Sequence, residues 1–129
     1  MEKFSRAQPV RILVVEDFPQ FRKYISSELE KRPNLRIIGE TADGLEAIQK
    51  AVELKPDLIL MDIGLPSLNG IDAARRILDL VPSTKIIFLS QESSISVMQG
   101  ALRVGACGYV VKMNAALELL PTIDAIMSH

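Results

Sequence analysis

Each of four short apolar runs in this chain is followed by a residue able to do chemistry. Arg11–Val15 is followed by Glu16 and Asp17, Leu58–Met61 by Asp62, Lys85–Leu89 by Ser90, and Gly108–Val111 by Lys112. Three carboxylates crowded together repel one another unless protons or a cation intervene. A hard cation with oxygen ligands answers that need, and Mg²⁺ takes one or two carboxylates, several waters and a phosphate oxygen. Lys112 adds a positive charge on a flexible stem, able to pair with a phosphoryl oxygen or, without one, with Asp62. Ser90 adds a hydroxyl donor. Such a set can hold a carboxylate nucleophile in line with an incoming phosphoryl group while cation and ammonium take up the developing charge. Singly, these residues have plainer explanations: a Glu-Asp pair can cap a helix, Asp62 can be a turn residue, and Ser90 and Lys112 can be structural. Four chain segments each ending in a part of one reaction favour the chemical reading.

The parts are scattered over most of the sequence, so a fold has to gather them. At 129 residues the chain amounts to one domain, and 48% hydrophobic with 24% charged residues supports a real core and excludes intrinsic disorder. The apolar runs do not alternate with polar residues, which suits strands of a parallel sheet buried on both faces. Leu35–Gly39 is more mixed and reads as an edge strand. Between the runs lie helical stripes: Phe21, Tyr24, Ile25 and Leu29; Leu45, Ile48 and Val52; Ile71, Ala74, Ile77, Leu78 and Val81; Ile95, Met98 and Leu102; and Leu119, Leu120, Ile123, Ile126 and Met127. Asp43 with Glu46 reads as a capping box, Asn69, Ser94 and Asn114 as N-caps, and Gly105 as the residue after the fourth helix. Pro33, Pro56 and Pro82 follow helical stripes they cannot continue. Pro121 falls inside the last stripe, which fits if that helix begins near Leu117–Leu119 and otherwise kinks it.

Alternating strands and helices of this length give an α/β fold with a doubly wound parallel sheet, and five βα units favour the flavodoxin-like (βα)₅ strand order 2-1-3-4-5 over the six-stranded Rossmann order. No G-x-G-x-x-G or Walker A sequence occurs, which argues against dinucleotide and P-loop nucleotide binding. Such sheets bind ligands at the carboxyl ends of their strands. In this order the first and third strands are neighbours, so Glu16, Asp17 and Asp62 form one carboxylate cluster.

Fifteen Lys and Arg against 16 Asp and Glu leave a net charge of -1, with no electrostatic footprint for nucleic acid or an anionic membrane. Any service to DNA would run through something attached. The single cysteine, Cys107, forms no intramolecular disulfide and is read as a small packed residue; no Cys/His cluster has zinc spacing. No run approaches the ~20 apolar residues of a membrane span, and Met1–Val10 lacks the apolar segment of a signal peptide. The expected setting is the cytoplasm, and His129 is a lone terminal side chain.

The ordered segments Ile12-Leu-Val-Val-Glu-Asp17, Met61-Asp62-Ile-Gly-Leu-Pro66 with Gly70, Phe88-Leu-Ser90 and Tyr109-Val-Val-Lys112 resemble the receiver domain of bacterial two-component response regulators. The likeness runs from about Val10 to Met127, giving an extension over residues 1–9 and a receiver over 10–129. The stretches around Glu16–Arg22 and Gly39–Ala47 look most like receivers that precede a helix-turn-helix DNA-binding domain, the NarL/FixJ type. The resemblance implies that Asp62 is the phosphoacceptor and that Glu16 and Asp17, completed by the Gly64 carbonyl, hold Mg²⁺. It also implies that Ser90 moves towards the phosphoryl group, that Lys112 pairs with it, and that Tyr109 is the aromatic switch. The donor would be a sensor histidine kinase, and the chain a signalling switch rather than a metabolic enzyme. Its output surface would be helix four, strand five and helix five, serving transcription or homodimerisation.

Three positions depart from the family's usual pattern. Gln91 stands where a small residue is usual; with Glu92 it flanks the expected path of attacking water and so bears on phosphate lifetime. Met113 replaces a common proline, which implies a trans peptide after Lys112. Pro121 bears on the helix-five surface. Among rival readings, a haloacid dehalogenase-type phosphatase would want a second Asp at position 64, which is glycine. A flavin carrier would want a hydroxyl-rich loop after the first strand, and an inert scaffold would fail to bind Mg²⁺. A stand-alone receiver acting through protein contacts is the alternative to one controlling transcription.

Overall fold

The computed structural model describes residues 8–128, so His129 and all but the last two residues of the expected N-terminal extension lie outside the described residues. In chain order the elements are β1 (Val10–Val15), α1 (Pro19–Leu29), β2 (Leu35–Thr41), α2 (Gly44–Leu54), β3 (Leu58–Asp62), α3 (Gly70–Leu80), β4 (Lys85–Ser90), α4 (Ile95–Arg103) and β5 (Gly108–Val111). A 3₁₀ turn, Lys112–Asn114, then leads directly into α5 (Ala115–Met127). The strands pair in parallel in the order β2-β1-β3-β4-β5, the expected 2-1-3-4-5 arrangement with β2 at one edge.

Strand periodicity divides the core into two faces. Ile12, Val14, Leu58, Leu60, Ile87, Leu89 and Val110 pack with residues of α1 and α5. Leu13, Val15, Ile59, Met61, Ile86 and Phe88 pack against α2, α3 and α4. Burial on both sides is the reason these strands read as unbroken apolar runs.

The helix ends follow local chemistry. Asp43 accepts the Glu46 N–H and Asn69 the Asp72 N–H, each a side-chain N-cap. The Glu46 carboxylate bonds the Thr41 hydroxyl instead of returning to the Asp43 N–H, so the capping box is one-sided. Ser94 and Asn114 occupy N-cap positions without making a side-chain cap bond. Gly105 stands just past α4 with φ of 108°, a conformation that side chains other than hydrogen rarely adopt.

Three sequence expectations need correction. Helix α5 begins at Ala115, not near Leu117–Leu119, and Pro121 lies in its interior. The helix accommodates it because Pro121 faces solvent, as does Leu117 one turn earlier, whose carbonyl loses its helical N–H partner. Helix α4 turns its other apolar stripe inward. Ala101 is its buried residue and Val97 and Val104 are half-buried; of the expected stripe only Met98 is half-buried, while Ile95 and Leu102 are exposed. Both stripes are apolar, so periodicity could not choose between them; the small Ala101 lets the helix approach the sheet. Cys107 is exposed rather than packed, and its main-chain N–H, not its thiol, ties the segment to the sheet by donating to the Ile86 carbonyl at 2.8 Å.

Candidate functional site

Strand register builds the site. Val15 lies opposite Met61, so Glu16 and Asp62, each one step further, emerge side by side at the carboxyl edge. Asp62 pairs with Leu89 and Ser90 with Val111, which sets Ser90 and Lys112 along the same edge. Glu16, Asp62 and Lys112 continue the parity of the α1/α5 face, whereas Ser90 and Tyr109 continue that of the opposite face. The carboxylates and the ammonium therefore approach from one side and the hydroxyl from the other.

Glycine lets the next loop close over this edge. The Gly70 N–H donates to the Ile63 carbonyl at 2.8 Å, and a Cβ at Gly70 would stand 2.2 Å from the Asp62 carbonyl oxygen. The entry to α3 thus packs directly on the backbone of Asp62.

The two residues of the acid pair differ sharply. Glu16 is fully buried, and its Oε2 accepts the Phe18 N–H at 3.1 Å and the Lys112 ammonium at 3.0 Å. Asp17 is exposed. Lys112, with its side chain 12% exposed, makes the expected ion pair with Asp62 Oδ2 at 3.5 Å, and Glu16 is a second, nearer partner. The Gly64 N–H donates to Asp62 Oδ1 at 3.1 Å. Burial, then the Glu16 carboxylate, then the Asp17 carboxyl push Asp62 up to about 6, against the opposing pull of Lys112 and the Gly64 N–H.

Asp17, Asp62, Gly64, Ser90, Gln91, Glu92 and Lys112 all line one cavity of about 420 Å³. Val97 of α4 lines it as well, which makes it part of the cavity wall. Ser90 is buried, and its Oγ accepts the Glu92 N–H at 2.9 Å. Tyr109 stands outside the cavity lining, half-buried against the α2–α4 side, with its hydroxyl donating to the Glu92 carbonyl at 2.9 Å. The peptide after Lys112 is trans, as Met113 implied.

One oxygen from each of Glu16, Asp17 and Asp62 lies within 4.8 Å of the others. Glu16 Oε1 is buried and has no hydrogen-bond partner. An all-oxygen donor set of three carboxylates, one with an unsatisfied buried oxygen, fits a hard divalent cation.

Two supporting residues carried no sequence signal for this role. Arg22 donates to the Glu16 carbonyl at 2.7 Å and reaches Glu40 at 3.4 Å, tying the β1–α1 turn to β2. Phe21, read from its spacing as a core residue of α1, presents its ring to Lys112 at 5.0 Å. Helical periodicity reports which face is apolar, not what its rim touches.

Comparison with known proteins identifies the family. The family model for the response regulator receiver domain matches residues 12–124. Among curated relatives, a protein-glutamate methylesterase/protein-glutamine glutaminase of Thermotoga maritima is 38% identical over 112 residues, covering 85% of this chain and 32% of that protein. The transcriptional regulatory protein LiaR of Bacillus subtilis is 34% identical over 116 residues, covering 90% of this chain and 55% of LiaR. The chain therefore spans only about a third to a half of the length of these relatives. Among solved structures, a LuxR-family two-component response regulator from Aurantimonas sp. SI85-9A1 superposes with a TM-score of 0.89 at 32% identity, covering 94% of this chain and 86% of that one. The response regulator domain of Thermotoga maritima CheB gives 0.86 at 34% identity, covering 95% and 98%. No helix among the described residues is long and apolar enough to cross a membrane. With the family model matching residues 12–124 and the strand order in agreement, the chain belongs to the response regulator receiver domain family.

Proposed function

We propose that this receiver is a phosphorylation-controlled switch in which Asp62 accepts a phosphoryl group from a sensor histidine kinase. The observation that carries the reading is Asp62 itself: a buried carboxylate on the wall of a cavity, flanked by two further acids and an ammonium. Above about pH 6 its carboxylate is ionised, and an oxygen can attack phosphorus while the donor's leaving group departs, forming an acyl phosphate. Lys112 would pair with the phosphoryl oxygens, and Ser90 would donate its hydroxyl to them in place of its local loop contact. Glu16, Asp17 and Asp62, with the Gly64 carbonyl, would hold Mg²⁺, which when bound offsets negative charge on the phosphoryl oxygens. Breaking the Ser90 contact to Glu92 also bears on Tyr109, whose hydroxyl is bonded to the same residue, and so on α4. On this reading residues 10–129 form one receiver that catalyses only its own phosphorylation and dephosphorylation, in the cytoplasm.

The output we propose is control of transcription through an attached DNA-binding domain. The similarity to LiaR and to the LuxR-family structure supports it. The relative named as a methylesterase supports a second reading, in which the receiver governs an attached enzyme. The full reading frame decides between these.

Intact-mass measurement after incubation with acetyl phosphate and Mg²⁺ tests the first step. One phosphoryl adduct is expected on the wild type and none on Asp62→Asn, with uptake weakened in Asp17→Asn. Undiminished labelling of Asp62→Asn would sink the assignment.

A further inference from the structure

Lys112 borders two cavities, and only one of them contains Asp62. The second, of about 460 Å³, shares Phe18, Gln91 and Lys112 with the first and adds Phe21 and Met113. A lysine stem has several rotatable bonds, so its ammonium can be drawn towards either space. On one side stand Glu16 at 3.0 Å and Asp62 at 3.5 Å. On the other stands the Phe21 ring, its centroid 5.0 Å from the ammonium nitrogen. Met113, the neighbour on that second side, is exposed, so an ammonium released from the ring has a hydrated position to occupy.

The ring is itself fixed. It packs against Tyr24 one helical turn along α1, with centroids 5.6 Å apart and planes tilted by 30°. Both rings pack onto the core cluster shared with α5. An aromatic face attracts a cation through its quadrupole, and more strongly where the cation is desolvated, as the mostly buried Lys112 is. We propose that Phe21 is a positioning residue for Lys112. Its ring closes the solvent side of the ammonium and keeps the charge at the Glu16–Asp62 pair. The kinetic consequence rests on the reading of Asp62 as phosphoacceptor, whereas the positional claim rests on geometry alone.

The test compares Phe21→Leu, which keeps apolar bulk without a ring, with Phe21→Tyr, which keeps the face. The first readout is ¹⁵N relaxation and solvent exchange of the Lys112 ammonium, identified by its absence from Lys112→Met. Ammonium exchange should be about fivefold faster in Phe21→Leu and unchanged in Phe21→Tyr. The second is the rate of Mg²⁺-dependent labelling by acetyl phosphate. The rate at saturating donor should fall about fivefold in Phe21→Leu, with the half-saturating concentration unchanged, and Phe21→Tyr should restore it. Unchanged ammonium dynamics in Phe21→Leu, or equal loosening in Phe21→Tyr, overturns the proposal. If the ammonium loosens as expected but even the wild type takes no label, the phosphoacceptor reading falls and the positioning role stands.

Discussion

Lys112 and Glu16 are 96 positions apart in sequence, yet the lysine ammonium lies 3.0 Å from a glutamate that is fully buried. A buried carboxylate without a counter-charge is costly, so the pair cannot be broken from one side cheaply. Lys112→Met should lower the unfolding free energy by about 3 kcal/mol in metal-free buffer. Saturating Mg²⁺ should recover part of that loss by supplying another cation to the carboxylates. Urea denaturation with and without Mg²⁺ measures both effects, and a loss below about 1 kcal/mol would mean that Glu16 tolerates its burial alone.

The raised Asp62 carboxyl makes folding pH-dependent. In the unfolded chain it titrates near the ordinary aspartate value of about 3.9, and in the folded chain at about 6. Between these values the folded state keeps a proton that the unfolded state has lost. The associated stability is therefore fully present below about pH 4 and lost as pH rises through about 6, an effect on the order of 2–3 kcal/mol. Asp62→Asn should abolish that fall. Matching stability profiles for the two proteins between pH 4 and 7, measured without metal, would contradict the burial argument.

Gly70 carries no chemistry, but it holds the loop against the backbone of Asp62. Because an added Cβ would meet the Asp62 carbonyl oxygen at 2.2 Å, Gly70→Ala must push strand end and helix apart. We expect about 1–3 kcal/mol of destabilisation together with slower labelling at Asp62, although no reacting atom changes. Labelling at the wild-type rate in a destabilised variant would show that the displacement is absorbed in α3.

Gln91 is exposed and lines both cavities beside Lys112. Removing the long amide should open the approach to Asp62, so Gln91→Ala is expected to speed both acquisition and loss of the phosphoryl group. Glu92, on the same cavity wall, adds negative charge, and Glu92→Gln should chiefly speed acquisition from an anionic donor. Rates measured by stopped labelling and by decay after desalting separate the two contributions.

Self-association is expected to use the outward stripe of α4 with β5 and α5. The residue that tests it is Ile95, 72% exposed, and not Val97, which lines the Asp62 cavity. Mg²⁺ with beryllium fluoride, a phosphoryl mimic, should raise the sedimentation coefficient of the wild type and leave Ile95→Asp monomeric. A mimic that binds without changing the mass distribution would place the output face elsewhere.

How much of this was legible in the sequence follows from which forces are local. Unbroken runs such as Leu58–Met61 declare strands buried on both faces, and stripes such as Ile71 to Val81 declare helices, because burial and backbone period act on neighbouring residues. Alternation of the two elements, together with right-handed crossovers, then gives a doubly wound parallel sheet, and five such units favour the order that puts Glu16, Asp62, Ser90 and Lys112 at one edge. Three-dimensional packing decided the rest. Glu16 and Asp17 are adjacent in sequence and both acidic, but the first turns into the sheet edge beside Lys112 and is buried, whereas the second stands in the turn before α1 and is exposed. Lys112 lies 3.0 Å from Glu16 and 3.5 Å from Asp62 with the Phe21 ring beside it, an arrangement set by register and packing that has no signature in spacing. Helix α4 offered two apolar stripes, and the space available above the sheet selected the one with the small Ala101. Pro121 sits mid-helix because its face meets water, a circumstance that exists only once α5 has docked. Local chemistry determined the elements and the contents of the site; the distances within it depend on contacts between residues far apart in the chain.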